Sequence, residues 1–279
     1  IPAKLSVANL GGAATPAVIL GLLSGGLWCV ARIAPSVGFA SGVQPIRYAA
    51  LAFGWVMMAS WAATFVHPAQ AVEIRAADRG FLTMLSMLGV LLFAADGLDS
   101  RKRIELLLRR LVGLGGAIAI IAILQFTTNF NYTDTVSFPG LGEGRGGTIS
   151  IGQRSDFKRV ASTTLHPIEF GVTLVMIMPI AIHFALQGKT RAQRQWAGLC
   201  TALMFVAIPM SISRSAFVGA AGVGLVLFPV WHKRRQLNAG FVLAVGLVAM
   251  RFTFPGLLGT IRSLFTNLFL DTSTTHRTA

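Results

Sequence analysis

The sequence predicts an all-α protein, a polytopic transmembrane helical bundle with about eight spans. Hydrophobic residues make up 54% of the chain and charged residues only 12%, with a mean hydropathy of +0.67. A soluble domain, by contrast, has roughly 25% charged residues. In addition, apolar stretches recur at lengths near the about 20 residues that a helix needs to cross a bilayer. We therefore expect most of the chain to lie in a membrane.

Eight apolar stretches are predicted to be the spans. They occupy residues 12–33, 46–66, 80–95, 104–126, 167–186, 196–210, 215–231 and 240–254. The third and the sixth are shorter than a span requires. Because the sequence begins at Ile1 and ends within a polar segment, we expect it to be an internal region of a longer protein, so that eight is a minimum.

Lysine and arginine in the short connections predict the orientation. Three basic groups fall on one side of the predicted membrane, which the positive-inside rule makes cytoplasmic. They are Arg101, Lys102 and Arg103 with Arg109 and Arg110; Lys189, Arg191 and Arg194; and Lys233, Arg234 and Arg235. The formal net charge of +14 is therefore interpreted as a topology signal, and nucleic acid is not expected as a partner.

This orientation predicts four regions. Residues 1–127 hold about four N-terminal spans, and residues 128–166 form an extracytoplasmic loop. Residues 167–254 hold about four further spans, and residues 255–279 begin a large extracytoplasmic loop that we expect to continue beyond Ala279. Long loops are more often functional or disordered than simple connectors.

Positive charge on the outer face is not explained by topology. Arg145, Arg154, Lys158 and Arg159 lie within fifteen residues of one another. Such a cluster suits phosphate or pyrophosphate, because the guanidinium fork matches phosphate oxygens. The alternative for Arg159 is that its side chain extends to the membrane interface from a helix end.

Two further polar residues border the same apolar stretch. His166 precedes Pro167, which suits the first position of a helix. It is either a cap or interfacial residue, or a hydrogen-bond donor or base that faces an outer pocket. Glu169 lies one turn further on and needs a partner or hydration in an apolar run. Arg159 and Arg214 are suitable partners.

A short serine-rich turn separates the sixth and seventh stretches. Arg214 follows Ser213 and precedes seventeen uncharged residues, 215–231. Capping serines and the outward N–H groups of a helix N terminus, together with an arginine, form an anion site. The alternative is a lone arginine at the interface. Arg159 and Arg214 are predicted to lie on the same outer face.

The last nine residues place a histidine beside polar and charged side chains. Asp271, Ser273, His276 and Arg277 follow an amphipathic stretch. They form either an ordinary surface loop or part of a site in which His276 acts as a general base near neutral pH.

Two of these motifs, together with a glutamine at the end of the fourth apolar stretch, resemble the O-antigen ligase and O-antigen polymerase family of bacterial polytopic membrane proteins. The resemblance rests on Gln125 at the end of a span, on R-V-A-S-T-T-L-H-P-I-E-F-G from Arg159, and on P-M-S-I-S-R-S-A from Pro209. It covers roughly residues 104–277. The final D-T-S-T-T-H-R also resembles part of the family's large outer loop.

The resemblance implies a metal-independent glycosyltransferase of the GT-C-like membrane class, with no cofactor. The expected donor is a polyprenyl-diphosphate-linked glycan, and the expected acceptor is a lipid or glycan hydroxyl on the outer side of the bacterial cytoplasmic membrane. Arg159 and Arg214 would hold the diphosphate, and His276 or a histidine beyond Ala279 would deprotonate the acceptor. The other expected substrate-binding residues are Arg145, Arg154, Lys158, His166, Glu169, Ser213 and Arg277.

Two other functions stay open. A transporter or flippase of a lipid-linked anionic glycan predicts charged residues inside the spans and broken helices in matched halves. A non-catalytic membrane subunit predicts no strict need for Arg159 and Arg214. The apolar stretches are nearly free of charge and no internal repeat is evident, which favours the transferase.

Overall fold

Helices make up most of the structure. The computed structural model describes residues 2–7, 14–34, 43–66, 70–143, 153–154, 157–253, 256 and 259. Within these ranges lie eight helices of 17 to 28 residues and one of four residues. They are α1 (Pro16–Ile33), α2 (Pro45–Ala63), α3 (Ala71–Gly97), α4 (Arg101–Thr128), α5 (Tyr132–Thr135), α6 (Pro167–Gln187), α7 (Arg191–Met210), α8 (Arg214–Val230) and α9 (Lys233–Thr253).

Two short antiparallel ladders accompany the helices. Strand β1 (Leu5–Val7) pairs with β2 (Leu141–Glu143), so that Leu5 lies opposite Glu143. Strand β3 (Gln153–Arg154) pairs with β4 (Phe157–Lys158), directly before Arg159.

The prediction of a helical membrane protein is confirmed in its coarse form. Helices α1, α3, α4 and α6 are long and apolar enough to cross a membrane, and α8 is a shorter apolar helix. Each of the eight predicted stretches falls on one of the eight long helices. Many large apolar side chains are exposed, among them Leu20 and Val226, as expected for surfaces that face lipid. A total of eight spans stays a prediction.

Helix α3 corrects a predicted boundary. The sequence predicts a short span over residues 80–95, but α3 begins at Ala71 and contains 27 residues. Glu73 stabilises the first turn, because its Oε2 accepts a hydrogen bond from the backbone N–H of Gln70 at 3.0 Å. Charged residues in these first turns lower the local hydropathy without interrupting the helix, so a search for apolar stretches misses them.

The chain divides into two compact units. The first contains Ile1–Leu107 and Ser137–Gly147, and the second contains Leu108–Val136 and Thr148–Ala279. Helix α4 is continuous and contributes its first turns to the first unit and the remainder to the second. The four regions predicted from the order of spans and loops describe membrane topology rather than packing, and they stay a prediction.

In the first unit, α1 packs against α3 through small residues. A Cβ atom added at Gly21 would lie 2.7 Å from the Cβ of Ser86, and one added at Gly89 would lie 2.5 Å from the carbonyl oxygen of Gly21. These distances leave no room for a side chain, so the two backbones approach closely, as small residues allow in membrane helices. Helix α2 packs on α3 as well.

In the second unit, α6 packs against α7 and α8, and α4 contributes to the same core. The core includes the buried side chains of Phe170, Leu174 and Met204. A Cβ atom added at Gly171 would lie 2.6 Å from the Cβ of Ala216. The first turns of α6 are therefore pressed against the first turn of α8.

We expect Gly89→Ala to lower the free energy of unfolding by about 1–3 kcal/mol, because the added methyl group overpacks the contact between α1 and α3. The matched control is Gly80→Ala on the same helix, where an added Cβ meets nothing within 4 Å and alanine is the better helix former. Unfolding midpoints in detergent measure both variants. Equal midpoints would contradict the close approach of α1 and α3.

Candidate functional site

The segment before α6 lies against the end of α7. The backbone N–H of Val160 donates to the carbonyl of Met210 at 3.3 Å. The Nε of Arg159 donates to the carbonyl of Ser211 at 3.4 Å. Carbonyls at a helix C terminus lack a partner within the helix, and this segment supplies one. Arg159 is thereby held at the turn between α7 and α8, with its side chain half-buried.

The turn between α7 and α8, residues 211–213, is buried throughout. The hydroxyl of Ser211 donates to the carbonyl of Ile208 at 2.7 Å. Ile212 adopts a φ of +44°, which is rare for a β-branched residue and is retained only where the surroundings enforce it. The turn is therefore a constrained feature of the second unit.

Ser213 occupies the N-cap of α8, yet its hydroxyl does not cap the helix. The residue is only 1% exposed, and its Oγ has no hydrogen-bond partner among the residues that the structure describes. A buried hydroxyl without a partner is unfavourable by about 1–3 kcal/mol, and such groups are normally satisfied by water or a ligand. Arg214 follows as the first residue of α8, with its Nε buried.

Arg159 and Arg214 both adjoin this turn, Arg159 through a hydrogen bond and Arg214 as the residue that follows it. Arg159 contacts the carbonyl of Ser211, three residues before Arg214. Helix α6 begins beside the same turn, since a Cβ added at Gly171 would lie 2.9 Å from the Oγ of Ser211. We call Arg159, Ser213 and Arg214, with the N terminus of α8, the two-arginine site. Its cations and helix N terminus are suited to an anion.

His166 caps α6. Its Nδ1 accepts a hydrogen bond from the backbone N–H of Ile168 at 3.2 Å. A ring nitrogen that accepts a hydrogen bond carries no proton, so the neutral imidazole has its proton on Nε2. In this arrangement Nδ1 is occupied by the cap, and Nε2 is the ring nitrogen left for another contact. The capping alternative is confirmed, and a substrate contact through Nε2 stays a prediction.

Glu169 lies exposed in the first turn of α6. A carboxylate at this position interacts favourably with the positive end of the helix dipole. Among the ion pairs of the described residues, none joins Glu169 to Arg159 or Arg214. Its charge therefore lies exposed beside the helix terminus and is not paired with either arginine, and a role in substrate binding stays a prediction.

The structure describes the remaining predicted site residues only in part. Arg154 and Lys158 belong to β3 and β4, whose backbones pair directly before Arg159, but their side chains lie outside the described part of the structure. Arg145, His276 and Arg277 also lie outside the described residues. Their predicted roles stay predictions.

An apolar groove of about 550 Å³ starts next to the two-arginine site. At one end it is lined by Pro209 of α7 and Phe217 of α8, on either side of the buried turn, and at the other end by Trp231. Helix α9 closes its side through Leu243 and Gly246. Every lining residue is apolar, so the groove is suited to a hydrocarbon chain.

The opposite end of the second unit carries basic residues that the sequence predicts to be cytoplasmic. The Nη2 of Arg109 donates to the Oε1 of Gln193 at 3.3 Å, and its guanidinium carbon lies 5.8 Å from the ring centroid of Phe184. Helix α6 connects the two ends; its 21 residues correspond to about 31 Å. The two-arginine site and this basic end are thus separated by about the thickness of a hydrocarbon core.

Sequence reasoning missed a buried ion cluster in the first unit. Asp96 of α3 is 1% exposed. Its carboxylate accepts hydrogen bonds from the Nε1 of Trp28 at 2.7 Å, from Arg32, and from Arg47 at 3.2 Å. The cluster therefore joins α1, α2 and α3. An ionisable residue at the end of an apolar stretch is a signal for such a site, but only the fold shows that these residues meet.

Comparisons with known proteins assign no function to the two-arginine site. No protein-family model matches the chain, and no curated protein or solved structure matches it either. In the part of the chain that the structure describes, no group of three or more His, Cys, Asp or Glu residues is placed to hold a metal ion. Independence from metal ions stays a prediction.

We expect Asp96→Asn to lower the free energy of unfolding by about 3–5 kcal/mol, because it removes the counter-charge that the buried Arg47 shares with the partly exposed Arg32. The control is Asp99→Asn, which removes the partner of a solvent-exposed pair with Arg103 and should change stability little. Unfolding midpoints in detergent measure the difference. A variant at Asp96 that is as stable as the control would show that the cluster does not hold the three helices together.

Proposed function

We propose that this chain is a membrane glycosyltransferase. It transfers a glycan from a polyprenyl-diphosphate carrier to a hydroxyl of a lipid or glycan acceptor, without a metal ion, on the outer face of the bacterial cytoplasmic membrane. The resemblance to the O-antigen ligase and polymerase family motivates this proposal, which includes a GT-C-like bundle of about eight spans. Ligase and polymerase share this donor chemistry and differ in the acceptor.

The observation that carries the proposal is the geometry of the two-arginine site. Arg159 binds the buried turn that precedes Arg214, and the Ser213 hydroxyl in this turn has no partner among the described residues. Departure of a diphosphate leaves negative charge on its oxygens, and preformed donors at that position stabilise the transition state. Two guanidinium groups, a hydroxyl and the N terminus of α8 supply such donors.

The apolar groove supports a lipid-linked donor. It reaches the turn at Pro209 and Phe217 and continues along α8 to Trp231. A prenyl chain in this groove would place its diphosphate at the end where Arg214 begins α8. A water-soluble sugar nucleotide has no hydrocarbon chain that could bind in this apolar groove.

The positions of the charged groups support the proposed orientation. The two-arginine site and the basic end of the second unit lie at opposite ends of α6. If the basic end is cytoplasmic, as the positive-inside rule requires, the two-arginine site faces outward. The capping role of His166 favours a base in the outer loop, for which His276 is the proposed residue.

A transporter or flippase remains the second candidate because of one observation. Transport across the membrane uses charged residues within the helical bundle, and Asp96 with Arg32 and Arg47 forms a buried charged cluster. In this cluster, however, the Asp96 carboxylate already binds both guanidinium groups, and these contacts join three helices. We therefore assign it a structural role and favour the transferase.

Arg159→Ala and Arg214→Ala are each expected to reduce glycan transfer at least about 100-fold, the usual effect of removing one donor to a developing negative charge. Transfer is measured with a lipid-diphosphate donor after reconstitution, and membrane insertion is measured in parallel. The matched control is Arg191→Ala, an exposed arginine at the start of α7, which should retain activity.

Ser213→Ala completes this test. Because the Ser213 hydroxyl has no partner among the described residues, its removal should leave stability unchanged or higher while transfer decreases. Full transfer in both arginine variants would contradict the proposed function. Loss of transfer in the Arg191→Ala control as well would show that the assay reports folding instead of anion contact.

A further inference from the structure

We propose that Gln125 is a positioning residue that holds Arg159 in the two-arginine site. The proposal rests on the proposed function, since it concerns the same anion site. Gln125 lies near the end of α4 and is buried. The hydrogen bonds of its side chain go to Ser162 and Asn131, and not to either arginine.

The amide of Gln125 binds the backbone of Ser162 in both directions. Its Oε1 accepts from the N–H of Ser162 at 2.9 Å, and its Nε2 donates to the carbonyl of the same residue at 3.2 Å. Only a side chain with both a donor and an acceptor can make this pair. A glutamate lacks the donor when ionised, and a methionine of similar length lacks both groups.

Ser162 has a backbone conformation that requires stabilising contacts. Its φ of +53° lies in the left-handed region that non-glycine residues seldom adopt. It is buried, and its hydroxyl donates to the carbonyl of Ile118 at 2.8 Å. Without the amide of Gln125, a buried backbone N–H would lose its partner, and the local conformation would relax.

Arg159 is three residues away on the same segment. The backbone between them is held at Val160, whose N–H bonds to the carbonyl of Met210 at 3.3 Å, and at Ser162. The contact of the Arg159 Nε with the Ser211 carbonyl is long, at 3.4 Å, near the outer limit for a hydrogen bond. The bonds to Ser162 are shorter, so we infer that they fix the backbone from which the Arg159 side chain extends to the turn.

A double-mutant cycle tests the proposal with inorganic pyrophosphate as the probe. Pyrophosphate affinity and the unfolding midpoint are measured for Gln125→Met, Arg159→Ala and the double variant in lipid nanodiscs at low ionic strength. Gln125→Met should weaken pyrophosphate binding about tenfold when Arg159 is present and leave the residual binding by Arg214 unchanged when it is absent. The unfolding midpoint should decrease equally in both backgrounds.

The control is Gln193→Met, which alters a glutamine that accepts from Arg109 at the other end of the unit and should not change pyrophosphate affinity. Should Gln125→Met fail to fold, Gln125→Asn is the second variant, because it keeps the amide but shortens the side chain by one methylene and so withdraws the amide from the Ser162 backbone; the same dependence on Arg159 is expected. A decrease in affinity of equal size with and without Arg159 would overturn the positioning role alone. If the unsubstituted protein does not bind pyrophosphate, the proposed function is wrong and this inference fails with it.

Discussion

Polar groups inside a helical membrane protein must find partners within the protein, because hydrocarbon offers none. The end of α7 illustrates this constraint. Its last carbonyls receive the N–H of Val160 and the guanidinium of Arg159, and the buried turn that follows begins α8 at Arg214. Satisfying the end of one helix therefore places Arg159 against the turn that leads into Arg214, although the two arginines lie 55 residues apart in the sequence. The location of the candidate site follows from that contact.

The same constraint has two different outcomes in the two units. In the first, the Asp96 carboxylate accepts hydrogen bonds from Trp28, Arg32 and Arg47, so that one buried anion is shared by two cations. In the second, the Ser213 hydroxyl is buried without a partner among the described residues. A closed cluster is suited to holding helices together, whereas an unsatisfied donor beside two cations is suited to binding. We therefore assign a structural role to the Asp96 cluster and anion binding to the two-arginine site.

The sequence predicts the parts of this arrangement that depend on local pattern. Apolar stretches locate the helices, His166-Pro167 predicts a helix start, and Arg214 after Ser213 predicts a basic helix N terminus. Contacts between distant residues could not be predicted in this way. Gln125 meets Ser162 across 37 positions and Asp96 meets Arg32 across 64, and hydropathy carries no information about such pairs. Helix α3 begins before the predicted third span. Its first turns carry charged residues, which a search for apolar stretches does not include.

The central claim is that Arg159 and Arg214 form one anion site that faces outward. Ser215, exposed in the first turn of α8, can be replaced by cysteine in a Cys29→Ser background, because Cys200 is buried. Right-side-out vesicles are then treated with a membrane-impermeant maleimide, with and without inorganic pyrophosphate. The account predicts labelling from the outside that pyrophosphate slows, and no such protection once Arg159→Ala is added. Labelling only from the inside, or labelling that pyrophosphate does not affect, would contradict it.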